Sequence, residues 1–238
     1  DYIESEGRDR KNTDLPLDQK NLLKKIYDVN KNIVLILING STISLPWANQ
    51  HIPAIIEAWY PGQSGGKAIA EVLFGDYNPG GKLPMTFYKG INDLPPFEDY
   101  DVRNGRTYMY FKGEPLFPFG YGLSYTNFKI KNVRLNDTNF FKSDTLQINF
   151  NITNTGLKYG SEVPQLYIEQ NGIKKLKAFK RIFLNKDESL ESTMKVAIKD
   201  FQSWNLIENN YVVKTGDYRI HLGTSSQDFV FTSNIKVN

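Results

Sequence analysis

The sequence predicts an α/β layer followed by an all-β sandwich. Three observations carry this. Up to about residue 90, helical and strand periods are mixed around one continuous apolar run. From about residue 124, short alternating strands follow one another between Asn, Asp and Gly turns. Between these halves, residues 76–123 are dense in Gly, Pro and aromatic residues, which is too aromatic for a flexible linker. The expected organisation is therefore 1–90 as α/β, 91–123 as a packed connection and 124–238 as a β-sandwich.

The elements justify this in order. "LPLDQKNLLKKIYDVN" puts Leu22, Leu23, Ile26 and Val29 on one helical face, with Pro16 near the start, where a missing N–H costs little. "IVLILI" (Ile33–Ile38) ends in Asn-Gly and has the composition of a parallel strand covered on both faces. "HIPAIIEAWYPG" is a short apolar element closed by Pro-Gly. "SGGKAIAEVLFGD" places Ala68, Val72 and Leu73 at helical spacing, with Gly75 as C-cap. Helix, strand, short element and helix form the rhythm of a layered α/β domain, here with no earlier strand to open a sheet. In the second half, "DTLQINFNITNTG" alternates Leu146, Ile148, Phe150 and Ile152. "EVPQLYIE", "KAFKRIFLN", "STMKVAIKDF", "NNYVVKTGDYRIHLG" and "DFVFTSNIKV" complete an immunoglobulin-like pattern.

Composition excludes several functions. The net charge of +3 is small, and "GIKKLKAFKR" lies within a strand pattern, so it reads as a solvated strand face; no nucleic-acid partner is expected. There is no cysteine, hence no disulfide, thiolate nucleophile or cysteine-bound metal. No apolar run approaches the roughly 18 residues of a membrane span, and no signal-peptide pattern is read in this stretch, which for a fragment or processed product says nothing about export.

The candidate chemical motifs narrow quickly. "GQSGGKA" fails as a phosphate loop, because Pro61 replaces the first glycine and Ala68 the hydroxyl residue; it reads as a tight turn into a helix. His51 and His221 stand in unrelated elements and form no triad or metal set. Glu98, Asp99 and Asp101 lack the spaced oxygen ligands of a calcium loop and read as loop anchors. Of the Asn-x-Ser/Thr sites at Asn39, Asn136 and Asn151, Asn39 follows a buried strand and is a poor acceptor. That leaves "DYIESEGRDRKN". Glu4 and Glu6 face the same side of an extended segment, where one carboxylate raises the pKa of the other, as proton donation near neutral pH requires. A solvated charged end accounts for the same pattern, and spacing alone leaves both readings open.

Resemblance adds what spacing lacks. "EGRDRKNTDLPLDQKNLLKKI", "WYPGQSGGKAIAEVLFGDYNPGGKLPMTFY" and "FPFGYGLSYTNF" resemble the closing part of glycoside hydrolase family 3 enzymes, the β-glucosidases, β-xylosidases and relatives. "NTGLKYGSEVPQLYIE", "LKAFKRIFL" and "TGDYRIHLGTSS" resemble the family's fibronectin type III-like domain. Nearly the whole chain is covered, in the family's order.

The resemblance implies a partial α/β sandwich domain followed by the fibronectin-like module. A TIM-like barrel, carrying an aspartate nucleophile, would belong to the same precursor or a partner chain. It implies a retaining exo-acting β-glycosidase acting on oligosaccharides or aryl β-glycosides, needing no cofactor, with a lean to β-xylosidase over β-glucosidase. Glu6 matches the acid/base position, with Glu4 in reserve; Asp9 and Arg10 shape the loop, and Arg106 and Tyr108 border the pocket. It implies a periplasmic or secreted setting, and the chain alone is expected to be inactive. The alternative is a non-catalytic carbohydrate-associated or structural protein with these two domains. The coding sequence upstream of Asp1 discriminates: a barrel there supports the enzyme.

Overall fold

The computed structural model describes residues 7 and 10–238. The chain forms two compact units, residues 1–77 with 85–118, and residues 78–84 with 119–238.

The first unit is α/β. Helix α1 (Leu17–Val29) leads to strand β1 (Val34–Leu37), helix α2 (Pro46–His51), strand β2 (Ala54–Glu57) and helix α3 (Gly65–Phe74). Strands β1 and β2 pair in parallel, from Val34 opposite Ala54 to Leu37 opposite Glu57. Pro16 caps α1, and Gly75 ends α3 in the left-handed conformation (φ 81°) that favours glycine. The core is Leu23, Leu37, Ile43, Leu45, Ala48 and Ile52.

The helical face expected to be buried is only partly so. Leu23 is buried and Tyr27 packs beside it, but Leu22 is 58% and Val29 86% exposed. A sheet of two strands is too narrow to cover a full stripe of α1. For the same reason Val34 and Ile38 are exposed, so β1 is not covered on both faces.

Residues 85–118 return to this unit. Phe87 donates its N–H to Phe117 O (2.9 Å), Leu116 donates to Phe87 O (2.8 Å), and Ser44 Oγ donates to Tyr88 O (3.0 Å). A four-residue helix, α4 (Thr107–Tyr110), follows a polar loop.

The second unit is a β-sandwich. Its strands are β3 (Phe128–Leu135), β4 (Asn139–Phe140), β5 (Thr145–Asn154), β6 (Gly160–Glu162), β7 (Gln165–Gln170), β8 (Ile173–Phe179), β9 (Ile182–Leu184), β10 (Ser189–Ala197), β11 (Ser203–Asn205), β12 (Asn210–Val212), β13 (Gly216–Gly223) and β14 (Phe229–Val237). One sheet runs β10-β5-β3 and the other β4-β14-β13-β7-β8; β6–β9 and β11–β12 are separate pairs. Leu146, Ile148, Phe150 and Ile152 of β5 are each fully buried. Their spacing fixes the register, because a slip of one residue would turn all four to water.

"KAFKRIFL" reads as one strand but folds as two. Strand β8 pairs with β7 and β9 with β6, the chain changing partner at Lys180–Arg181. The lysines of β8 are also not a simply solvated face. Lys174, Lys175 and Lys177 are half-buried, and desolvation lowers their pKa values. Lys174 Nζ donates to Ser226 O (2.7 Å) and lies 4.4 Å from the Phe229 ring centre, and Lys177 Nζ donates to Asp200 O.

Residues 78–84 and 119–122 lock onto the sandwich. Leu83 N donates to Tyr121 O and Gly120 N to Leu83 O, both at 2.8 Å. Lys82 pairs with Glu162 at 2.7 Å, with both side chains largely buried. Gly120 (φ 81°) lies against the Gln165 amide, which donates to Gly120 O (3.0 Å) and Thr224 O (2.7 Å).

Candidate active site

Among parallel strands, function gathers where strands end in loops, at their carboxyl ends. Strands β1 and β2 end together, at Leu37 and Glu57, so the loops beginning at Ile38 and Ala58 emerge side by side. Asn39, in the first loop, is only 4% exposed. Its Nδ2 donates to Ser41 O (2.6 Å) and, more weakly, to Glu57 Oε2 (3.4 Å). Reversing the amide would set its oxygen against a carbonyl and a carboxylate, so this orientation is the one chemistry allows. Glu57 Oε1 accepts from the N–H of Trp59 (3.1 Å). Trp59 holds φ 53°, a left-handed conformation unfavourable for a bulky residue and sustained only by its surroundings.

Arg10 meets this corner. Its Nη2 donates to Ser41 Oγ (2.7 Å) and Thr42 O (2.9 Å), while Thr13 and Ser44 join by hydroxyls at 2.6 Å and by Ser44 N to Thr13 O (2.7 Å). The segment leaving the Glu-Gly-Arg-Asp-Arg stretch is therefore stitched to the loop after β1. Glu4, Glu6 and Asp9 lie outside the described residues.

The loop before α4 is a second ordered polar cluster. Arg103 clasps Asp101 through Nε (2.8 Å) and Nη2 (2.5 Å). That side-chain bond, with the Arg103 N–H, holds the Asp101 pKa at about 2. Asp99 accepts from Asp101 N (3.0 Å) and Asn104 Nδ2 (2.8 Å). Arg106 does not reach out from the loop; it donates to Pro96 O (2.9 Å) and Asp99 O (2.9 Å), closing the loop on itself. Tyr108 is half-buried on α4. Tyr88 Oη accepts from Thr107 N (2.9 Å), and burial raises its pKa. The acidic residues here anchor a loop, and no cluster of His, Cys, Asp or Glu among the described residues could hold a metal ion.

Neither histidine takes part. His51 Nδ1 lies 2.8 Å from Trp47 O and its ring stacks on Trp47. His221 is buried in β13 between Thr232 Oγ1 (2.9 Å) and Glu169 Oε2 (3.1 Å). From sequence, Asn39 stands out only as a poor glycosylation acceptor, and Ser41, Glu57 and Trp59 do not stand out at all. The available signal was the Asn-Gly that ends the apolar run of β1, together with the carboxyl-end rule.

Comparison with known proteins identifies the family. Residues 1–125 match the glycosyl hydrolase family 3 C-terminal domain, and residues 162–226 a fibronectin type III-like domain. The chain belongs to glycoside hydrolase family 3. It is 41% identical over 227 residues to a xylan 1,4-β-xylosidase of Xylanibacter ruminicola, covering 93% of this chain and 26% of that protein. It is 33% identical to thermostable β-glucosidase B of Acetivibrio thermocellus, covering 100% of this chain and 34% of the relative. Among solved structures, the β-glucosidase of Kluyveromyces marxianus superposes with a TM-score of 0.88 at 32% identity, over 99% of this chain and 30% of that one. The chain thus spans about a quarter to a third of the length of these family 3 relatives.

Proposed function

We propose that this chain is the C-terminal portion of a retaining, exo-acting β-glycosidase that releases terminal non-reducing β-D-xylosyl or β-D-glucosyl residues from oligosaccharides. The observation that carries the reading is the family 3 match over residues 1–125, with Glu-Gly-Arg-Asp-Arg near its start. Glu6 is the acid/base, with Glu4 in reserve; Asp9 and Arg10 hold its loop. The bonds from Arg10 to Ser41 and Thr42 support that loop-holding role. Arg106 serves the pocket border indirectly, through the loop it closes, and Tyr108 accompanies it on α4.

The nucleophile is an aspartate on an N-terminal TIM-like barrel of the same precursor or a partner chain. It attacks the anomeric carbon while Glu6 protonates the departing oxygen. Glu6 then takes a proton from the water that cleaves the glycosyl-enzyme. Retention requires the two carboxyl groups about 5–5.5 Å apart in the assembled enzyme. The greater identity to the xylosidase supports the lean toward β-xylosides. Export to the periplasm or medium goes with this reading.

The test is Glu6→Ala in the full-length enzyme, assayed on aryl β-xylosides and β-glucosides. Activity on poor leaving groups is expected to collapse, activity on dinitrophenyl glycosides to fall far less, and azide to restore part of the turnover. The same pattern in Glu4→Ala instead would move the role by one acid. Uniform loss on all substrates in both variants would refute the assignment.

A further inference from the structure

We propose that the β11–β12 hairpin and a cavity beside β8 are the two halves of one self-association contact, through which two copies of this chain pair reciprocally. The contact is independent of the glycosidase reading and involves residues to which that reading gives no role.

The hairpin stands apart from both sheets, since β11 pairs only with β12. Two strands alone are marginal in water, so something local must hold them. The cross-strand pair Trp204 and Tyr211 does so, edge to face with ring centres 5.2 Å apart. The turn is equally fixed. Asn205 Oδ1 accepts from Ile207 N (2.9 Å), its Nδ2 donates to Glu208 Oε1 (2.7 Å), and Asn209 takes a left-handed φ of 47°. This ordered turn delivers apolar side chains to water: Leu206 is 74% and Ile207 95% exposed. Glu208, beside them, is exposed and forms no ion pair among the described residues. Such a tip has already lost the freedom that association would otherwise remove, and an exposed apolar cluster of this kind marks a docking surface.

The cavity has the complementary character. It measures about 310 Å³ and is lined by Pro84, Phe119, Val163, Leu176, Phe179 and Arg181, among others. Ligand pockets run from roughly 300 to 1,000 Å³, so this one takes a few side chains rather than an oligosaccharide. Phe179 is itself largely exposed. Arg181 Nε donates to Ser161 Oγ (3.2 Å) and the guanidinium lies 5.6 Å from the Phe183 ring centre, but it meets no carboxylate among the described residues. Glu162, on β6 opposite Ile182, is taken by Lys82. The tip therefore carries apolar bulk and an uncommitted acid, and the cavity offers apolar walls and an uncommitted arginine.

Both features border β8, which lets the contact close on itself. Lys177 of β8 donates to Asp200 O, just before the hairpin, while Leu176 and Phe179 of the same strand wall the cavity. The exposure of Ile207 means that it does not fill the cavity of its own molecule. A two-fold axis beside β8 lets each tip enter the other copy's cavity, burying Leu206 and Ile207 against Leu176 and Phe179 and setting Glu208 opposite Arg181. Lys174, Lys175 and Lys177 along β8, the outermost strand of its sheet, oppose direct edge-to-edge pairing, which leaves tip in cavity as the way the copies meet.

Sedimentation velocity on the 238-residue chain, across micromolar to submillimolar concentrations, tests this. A concentration-dependent shift from monomer to dimer is expected, and Ile207→Asp should abolish it. Arg181→Glu and Glu208→Arg should each raise the dimer dissociation constant about 10-fold or more, by setting like charges together. An equimolar mixture of these two variants should dimerise within about threefold of the parent, because in the mixed pair both contacts again join opposite charges. All three positions are exposed, so the urea midpoint of each variant should match the parent's. A chain that is monomeric at every concentration overturns the proposal, as does a dimer that the single reversals leave unchanged or that the mixture fails to restore. Species growing beyond the dimer overturn the two-fold closure. A monomeric chain in which Ile207→Asp instead lowers the stability of the full-length enzyme gives the tip to the rest of that protein, and overturns the proposal as well.

Discussion

Asn154 offers the sharpest test of how the sandwich is held, through the single-atom change Asn154→Asp. The side chain is fully buried at the end of β5 and uses its whole hydrogen-bonding capacity. Oδ1 accepts from Thr126 Oγ1 (2.6 Å) and Gly156 N (3.1 Å), and Nδ2 donates to Lys158 O (2.8 Å) and Leu184 O (3.1 Å). Aspartate keeps the shape but turns an oxygen toward two carbonyl oxygens. Ionised, it would be fully buried with an oxygen facing two carbonyl oxygens, so burial must raise its folded pKa. A rise of about three units, to near 7, is ordinary for such a site, and at about 1.36 kcal/mol per unit it destabilises the fold by about 4 kcal/mol at pH 7. A protonated acid still satisfies only one of the two carbonyls, which adds about 1 kcal/mol at any pH. The sign follows from linkage. The folded pKa lies above the unfolded value near 3.9, so the ionisation penalty is absent below pH 4 and grows as pH rises toward the folded pKa. Urea unfolding of the 238-residue chain at pH 4 and pH 7, against the parent at each pH, measures it. The expected losses are about 1 and about 5 kcal/mol. Equal losses at the two pH values, or a loss under about 1 kcal/mol at pH 7, would refute the reasoning.

Four further outcomes follow from the same structure. His221 is buried and its pKa is lowered, with burial outweighing the raising influence of Glu169. Its contribution to stability is therefore complete above the unfolded value near 6.5 and declines as pH falls below it, by at most about 1.4 kcal/mol per pH unit. His221→Gln should flatten that slope in urea melts, and an unchanged slope would assign it elsewhere. Lys82→Met should cost about 3–5 kcal/mol by stranding the buried Glu162, whereas Lys82→Met with Glu162→Leu should recover most of it; additive losses in that double-mutant cycle would deny the coupling. Gly120→Ala combines a left-handed φ with a methyl group directed at the Gln165 amide. It should lower the sandwich's urea midpoint by an amount corresponding to 2 kcal/mol or more, and an unchanged midpoint would contradict the close approach. Under the proposed mechanism, in which this chain supplies one of two carboxyl groups, the 238-residue chain alone should give no turnover of aryl β-glycosides; measurable turnover would overturn that division of the site.

The sequence was most legible where one force dominates. In β5, burial on one face alone dictates alternation, and Leu146, Ile148, Phe150 and Ile152 all proved to be core. The helix boundaries followed from local chemistry at Pro16 and Gly75. Reading failed where a partner decides. Nothing in "KAFKRIFL" announces that β8 and β9 pair with different neighbours, because both halves have strand composition. The exposure of Leu22 and Val29 was equally hidden, since periodicity identifies a face but not the width of what covers it. At the candidate site, resemblance pointed to Glu6 and Arg10. The residues around Arg10's anchor were silent: Ser41, which receives it, and Asn39 and Glu57, which brace the same loop, are small or common polar residues whose value lies in where two parallel strands end together.

That difference separates stability from chemistry in this chain. The large apolar core belongs to the sandwich, where β5, β7, β10, β13 and β14 each bury several side chains. The seat for Arg10 rests instead on the smaller α/β core, built around Leu37, Ile43 and Leu45. Leu37 and Ile43 flank the loop containing Asn39 and Ser41, so cavities made there disturb the seat before they unfold the sandwich. Leu37→Ala should therefore reduce full-length activity with little change in the sandwich's urea transition, while Ile148→Ala should weaken that transition by about 2–5 kcal/mol. If Leu37→Ala lowered both together, the two cores would behave as one cooperative unit, and Arg10's anchor would draw on the sandwich after all.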